Sequence, residues 1–229
     1  MIIITLDGVA ASGKSTLARM LAHEFHYYYV CSGLLYRTVA YLLIHEFGYT
    51  ESTVAHVDTK DIAACFDPSI FEYVYDEKHG EHVLFKGCDI TAALKDSFID
   101  KIASITSVNV YVRHFITEIQ HALAEKYNIV TDGRDVGSVV FPHAQVKFYI
   151  TAAIEMRAKR WLLDQKKHGH EYTLQQAVEK LADRDERDRE RAVGPLIIPE
   201  GAIVVDNSTM SLQETFEVMV KEVKKALQE

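Results

Sequence analysis

Between residues 8 and 15 the chain reads Gly8-Val9-Ala10-Ala11-Ser12-Gly13-Lys14-Ser15, and its flanks leave little freedom in how it folds. An apolar run, Ile2 to Leu6, precedes this stretch, and apolar residues recur at helical spacing from Thr16 to Phe25. The order is strand, glycine-containing turn, helix. A turn of the form Gly-x-x-x-x-Gly-Lys-Ser in that setting is a phosphate-binding loop. Its glycines let the backbone wrap an anion, its amides point at phosphate oxygens, and the helix N-terminus adds positive potential. Gly8 to Ser15, with Thr16, are the candidate nucleotide-phosphate contacts. Lys14 is placed to reach the β- and γ-phosphates and Ser15 to offer its hydroxyl to Mg²⁺. The bland alternative is a turn that only builds a βα unit; an eight-residue match arises by chance occasionally, but rarely between a strand and a helix as well.

The chain has 229 residues, long enough for a well-buried core in one large domain or two small ones. A net charge of -8 argues against general affinity for nucleic acid polymers or acidic membranes, so basic residues must be judged by where they cluster. Cys31, Cys65 and Cys88 lie far apart, without metal-site spacing or disulfide density, and reduced thiols are expected. No basic leader precedes a cleavage site, and the first apolar run is too short for a signal or a membrane span. A cytoplasmic location is the expectation.

Further along, Tyr27 to Val30 is β-prone and ends at Cys31-Ser32-Gly33, after which Leu34 to Phe47 reads as a helix with Ser32 as its N-cap. From about 59 to 95 the character changes. Phe71 to Tyr75 and His82 to Lys86 are β-prone runs around a turn containing Gly80, which suggests an antiparallel hairpin in an inserted subdomain. Asp96 to Ser107 and Val110 to Lys126 have helical periodicity with a break near Asn109. Asn128 to Thr131 and Val146 to Ile150 read as core strands, Ile154 to Lys167 as a helix ended by His168-Gly169-His170, and Thr173 to about Arg191 as another. Ala202 to Val205 makes a fifth core strand and Leu212 to Leu227 a closing helix. Apolar strands alternating with helices give an α/β fold, a parallel sheet covered on both faces, in which ligands collect at the carboxyl ends of the strands.

Several residues follow those ends. Tyr36 and Arg37 fall in the first turn of the second helix, where a cation opposes the helix dipole unless an anion sits nearby. Asp132-Gly133-Arg134-Asp135 follows the third strand; Asp132 stands where an acid often lies near Mg²⁺, and Arg134 points to the same edge. A routine Asp-Gly turn with a paired arginine is the plainer reading. In Arg184 to Arg191, alternating charges form solvent-facing pairs on a helix. The spacing also puts 184, 187, 188 and 191 on one face, so that Arg184, Asp188 and Arg191 can address one ligand while Asp185 and Arg189 look elsewhere. Arg157 and Arg160 lie on the preceding helix, as surface residues or as groups that close over phosphates. An acidic chain that places Arg37, Arg113, Arg134, Arg184 and Arg191 near one predicted edge fits two phosphorylated ligands.

Taken together, the loop at residue 8, Ser-Gly-x-x-Tyr-Arg at 32 to 37, Asp-Gly-Arg-Asp at 132 to 135 followed by Val139-Val140-Phe141-Pro142, and Arg-Asp-x-Arg-Asp-Arg-x-Arg-Ala-Val-x-Pro-Leu at 184 to 196 resemble bacterial cytidylate kinases nearly end to end. The resemblance implies a single P-loop kinase domain over 1–229 with a five-stranded parallel sheet, an inserted small antiparallel β subdomain at about 59–95 and a helical lid at about 154–172. It implies transfer of the γ-phosphate of ATP, with Mg²⁺, to CMP or dCMP; a monomer is the separate expectation. By motif position Arg37, Arg134 and Arg191 would hold the acceptor phosphate, and Arg184 and Asp188 the sugar. Ser104, Arg113 and Asp135 would read the cytosine; Ser32 and Tyr36 belong to the same acceptor set. Arg157 would lie over ATP, and Lys14, Arg134, Arg157 and Arg191 would carry catalysis. Asp132 would assist Mg²⁺ through water. Two departures stand out: Cys31 replaces the usual acid before Ser-Gly, and Val9-Ala10-Ala11 is poorer in glycine than the family's loops.

The same chemistry on UMP, AMP or shikimate is one alternative. A slowly hydrolysing nucleotide switch is another, although the Asn-Lys-x-Asp motif of common GTPases is absent and acceptor-side arginines are superfluous in a switch.

Overall fold

The computed structural model describes residues 1–167 and 169–228. His168 of the expected helix break, and Glu229, lie outside them. In chain order the chain forms β1 (Ile3–Gly8), α1 (Lys14–Phe25), β2 (Tyr28–Cys31), α2 (Ser32–His45), α3 (Thr59–Cys65), β3 (Phe71–Asp76), β4 (Gly80–Phe85) and β5 (Cys88–Asp89). Next come α4 (Ser97–Thr106), α5 (Val110–Ala124), β6 (Ile129–Asp132), β7 (Val146–Thr151), α6 (Ile154–Lys167), α7 (Leu174–Glu190), β8 (Ile203–Asp206) and α8 (Leu212–Leu227). A five-stranded parallel sheet has the order β2-β6-β1-β7-β8, and a separate three-stranded sheet the order β3-β4-β5.

The chain divides into two compact units, one of residues 2–25 and 130–229, the other of 26–129 with Met1. In the first, Ile4 and Leu6 on one face of β1 and Thr5 and Asp7 on the other are all fully buried. A strand covered on both faces is what helices on either side of a parallel sheet produce. Register places Gly8 of β1 opposite Ile150 of β7, and Thr151 of β7 opposite Asp206 of β8, so three strands of this unit end together. Helices α6 and α7 pack on each other through Ala158, Ala177 and Leu181. Two capping boxes set helix starts: Thr173 with Gln176 for α7, and Ser211 with Glu214 for α8.

In the second unit the hairpin expected around Gly80 is present, with Phe71 opposite Phe85 and Asp76 opposite Gly80. The two-residue β5 was not expected; Cys88 and Asp89 are exposed and too few to show an alternating pattern. Asn109 ends the gap between α4 and α5 as N-cap, accepting from the amides of Tyr111 and Val112. Ser32 does not cap α2 as expected. The extended backbone of β2 runs one residue further, Cys31 takes the N-cap position without a side-chain bond, and Ser32 is the first, buried residue of the helix. Among the described residues no helix is long and apolar enough to cross a membrane.

Candidate active site

The loop after β1 is shaped by close packing. A Cβ at Gly8 (φ +145°) would lie 2.0 Å from the carbonyl oxygen of Ile150, so only glycine lets β1 leave β7 at this point. Gly13 is left-handed at φ +91°, and Ala11 takes the same region at φ +56°, which an L side chain rarely does. The poverty in glycine has a structural reason. The Val9 side chain is buried with Tyr149 and Leu196, and the Ala10 methyl with Ala158, Ala177 and Leu181 of α6 and α7.

Both polar backbone groups of Ala10 are also held. Its amide donates to Asp185 Oδ1 at 3.1 Å, and its carbonyl accepts from Arg157 at 3.1 Å. Arg157 and Asp185 are ion-paired at 2.7 Å with side chains only 6% and 3% exposed, and Arg157 donates further to the carbonyl of Ala152 at 2.9 Å. Two residues on, the Ser12 carbonyl accepts from Asn207 at 2.9 Å and from Arg160 at 3.4 Å, while Arg160 holds the Asn207 side chain at 2.8 Å. The expectation that Asp185 looks elsewhere is thus overturned: Ala177, Leu181 and Asp185 share the buried face of α7. Their spacing of four was the available signal, since it continues the apolar stripe into the acid. Arg157 is not on the surface, and Arg160 reaches the loop backbone.

Lys14 opens α1, and its ammonium donates to the Val9 carbonyl at 2.7 Å. Burial pushes its pKa down to about 7; Arg134 and Arg184 act the same way, against Asp132 and Asp188. Ser15 donates to Asp132 Oδ2 at 2.7 Å, which brings a hydroxyl and a carboxylate, both hard oxygen donors, side by side. The Ser12 hydroxyl is buried with no partner among the described residues.

Asp7, which residue reasoning passed over, is fully buried at the end of β1 and accepts from the amides of Val136 and Gly137 at 2.8 and 2.7 Å. Burial raises its pKa to about 7 despite those bonds and despite Lys14. It fixes the turn that follows Asp135, whose residues Val136–Val140 form a single π-helical turn. An acid inside an otherwise apolar strand, next to the loop, was its sequence signal.

Two arginine–carboxylate pairs complete this unit. Arg134 Nε donates to Asp188 Oδ2 at 2.6 Å. Arg191, just past the end of α7, donates to Asp135 Oδ1 at 3.1 Å and to the carbonyl of Gly194. Burial raises Asp188, but Arg134, Arg184 and Arg191 outweigh it and its pKa is lowered. Arg184 is half-buried.

In the other unit Arg37 of α2 donates to Asp100 Oδ1 of α4 through both Nε (3.1 Å) and a terminal nitrogen (2.7 Å). Arg113 of α5 is buried, donates to the Ser107 carbonyl at 3.2 Å and lies 5.9 Å from the ring centre of Tyr36. Ser104 is half-buried on α4, with its carbonyl accepting from the Ser107 hydroxyl at 2.8 Å. Tyr36, Arg37, Ser104 and Arg113 thus belong to one packed group of helices.

Comparison with known proteins agrees with these features. The sequence profile described as cytidylate kinase matches residues 4–225. The cytidylate kinase of Bacillus subtilis (strain 168) is 34% identical over 220 residues, 96% of this chain and 95% of that protein. The cytidylate kinase of Stutzerimonas stutzeri (strain A1501) is 34% identical over 222 residues, 96% and 94% of the two chains. The crystal structure of TT1252 from Thermus thermophilus superposes with a TM-score of 0.51 at 14% identity, covering 99% of this chain and 97% of that one, and speaks for the fold alone.

Proposed function

The chain belongs to the cytidylate kinase family, and from that premise we propose how its own residues carry the reaction. It is an ATP-dependent nucleoside monophosphate kinase that moves the γ-phosphate of ATP to CMP or dCMP. The observation that carries the residue assignment is Lys14, a buried lysine whose charge the surrounding protein disfavours and a polyphosphate would favour. Gly8 to Thr16 hold the ATP phosphates, with the Ala10 and Ser12 carbonyls tied back so that the loop's remaining amides face the ligand. The unpartnered Ser12 hydroxyl is one further donor for that ligand.

Phosphoryl transfer asks the protein for alignment and charge more than for covalent chemistry. Lys14 neutralises the transferring phosphate, and Arg134 and Arg191 hold the acceptor phosphate, giving up the bonds they make to Asp188 and Asp135. The released Asp188, with Arg184, takes the sugar hydroxyls. Asp135 reads the base with Ser104 and Arg113, while Ser32, Tyr36 and Arg37 complete acceptor binding from α2. The Ser15 hydroxyl and the Asp132 carboxylate fit Mg²⁺, Asp132 through water. When bound, that ion would neutralise charge on the β- and γ-phosphate oxygens. No side chain becomes phosphorylated. Arg157 supports the loop from behind through the Ala10 carbonyl, and that bond is its contribution to holding ATP.

Steady-state kinetics of two variants test these roles. Lys14→Ala is expected to lower kcat by roughly 10²–10³, the range for one lost electrostatic contact to the transition state. Arg134→Ala is expected to raise KM for CMP through lost charge-assisted bonds. Near-normal turnover in the first, or a change confined to KM for ATP in the second, would contradict the assignment.

A further inference from the structure

Strand β2 is at one end of the five-stranded order and β3 at one end of the three-stranded order, so each has an open edge. Such edges present unpaired amides and carbonyls that need partners. Two tyrosines supply them reciprocally. The Tyr73 hydroxyl, from β3, accepts from the Cys31 amide at 2.9 Å and donates to the Tyr29 carbonyl at 3.2 Å. The Tyr28 hydroxyl, from β2, accepts from the Tyr75 amide at 2.8 Å and donates to the Tyr73 carbonyl at 3.1 Å. In each case one phenol occupies the place of a neighbouring strand, bridging the carbonyl of residue i and the amide of residue i+2. Both phenols keep their protons at neutral pH, because burial raises Tyr28 to about 12 and Tyr73 well above an ordinary phenol.

The two ends of this clasp are not equivalent. The Tyr28 hydroxyl bonds to the small sheet, its ring stacking on Tyr127, whereas the Tyr73 hydroxyl bonds to Cys31, the N-cap of α2, which makes no side-chain capping bond of its own. An uncapped helix start is free to fray. Here the residue immediately before Ser32 is fixed by a hydroxyl from the small sheet. Ser32, Tyr36 and Arg37 lie within the first two turns of α2.

We propose that Tyr73 is a positioning residue for the acceptor: its hydroxyl fixes the Cys31 amide and with it the first turns of α2, so that the three-stranded sheet sets how Tyr36 and Arg37 meet CMP. The proposal rests on the reading of α2 as acceptor-binding.

The test compares Tyr73→Phe with Tyr28→Phe in steady-state kinetics with CMP and ATP varied separately, circular dichroism confirming that each is folded. Each variant loses one hydroxyl and two hydrogen bonds, so a merely structural clasp moves both alike. Tyr73→Phe is expected to raise KM for CMP roughly 5- to 10-fold, the scale of one lost hydrogen bond, with KM for ATP unchanged. Tyr28→Phe is expected to leave KM for CMP within about 2-fold, since its bonds end on β3. Equal shifts in the two variants, an unchanged KM for CMP in Tyr73→Phe, or a matching rise in KM for ATP would overturn the proposal. A measurement on the unsubstituted chain stands beside it. Exchange of the Cys31 amide hydrogen should be as slow as that of an interior strand, and exchange at loop rates would remove the bond on which the inference depends. Absence of CMP-dependent turnover in the unsubstituted chain would instead overturn the acceptor reading of α2.

Discussion

At Lys14 the protein works against a charge that the proposed phosphate contact needs. Burial, with Arg134 and Arg184, pushes its pKa down to about 7, so near neutral pH the unliganded molecule no longer holds the full ammonium charge. A bound polyphosphate restores the charged form, and by linkage ATP binding then takes up a proton. Below pH 7 Lys14 is already charged and uptake fades; above it, uptake approaches about one proton per ATP and affinity declines as pH rises. Titration calorimetry in buffers of different ionisation heat measures this, with Lys14→Arg as reference because arginine stays charged and cancels the titration of ATP itself. Uptake that grows between about pH 6 and 8 only in the unsubstituted chain is expected from the lowered lysine; identical uptake in both would contradict it. The same residue shows the limit of a motif. Lys14 is legible in Gly-Lys-Ser, but its pKa depends on burial and on charges more than a hundred positions away, which no spacing reveals.

At the scale of elements, the legible parts were those with a long period or a strong terminator. The helices α4 and α5 and their break at Asn109, the Gly80 hairpin and the extents of α6 and α8 all arise from apolar spacing, caps and turns. Two-residue β5, paired with nearby Leu84 and Phe85, is too short to show such a pattern, and the π-helical turn at Val136–Val140 carries none because it is held by Asp7, distant in sequence. Helix α7 combines both cases. Its charged run reads as a solvent-facing face, yet Asp185 on the apolar stripe joins α7 to α6 and to the Ala10 amide. Asp185→Asn keeps an acceptor for that amide but leaves Arg157 buried without a counter-charge. A loss of about 3–5 kcal/mol is expected, the cost of breaking a buried pair from one side. Urea unfolding should show a lower midpoint at unchanged slope; an unchanged midpoint would mean that water or another group compensates Arg157.

For the whole molecule, the alternation of strands and helices specified the parallel sheet, and the loop after β1 marked the strand ends that are the proposed ligand edge. The arginines were legible as a class, since an acidic chain that places cations after its strands has a use for anions. Their resting partners were not: Arg37 pairs with Asp100, Arg134 with Asp188 and Arg191 with Asp135, each contact set by tertiary placement. Such pairs hold the arginines in place with their charge balanced, and under the proposed assignment an acceptor phosphate would replace the carboxylates. ATP turnover by the whole molecule should therefore wait for a pyrimidine monophosphate. The most direct measurement is the fate of the γ-phosphate: γ-labelled ATP with Mg²⁺ and the purified chain, with and without CMP. Label in CDP, with little free phosphate when CMP is omitted, is the expected result. Label released as inorganic phosphate at the same rate in both, with none in CDP, would contradict it.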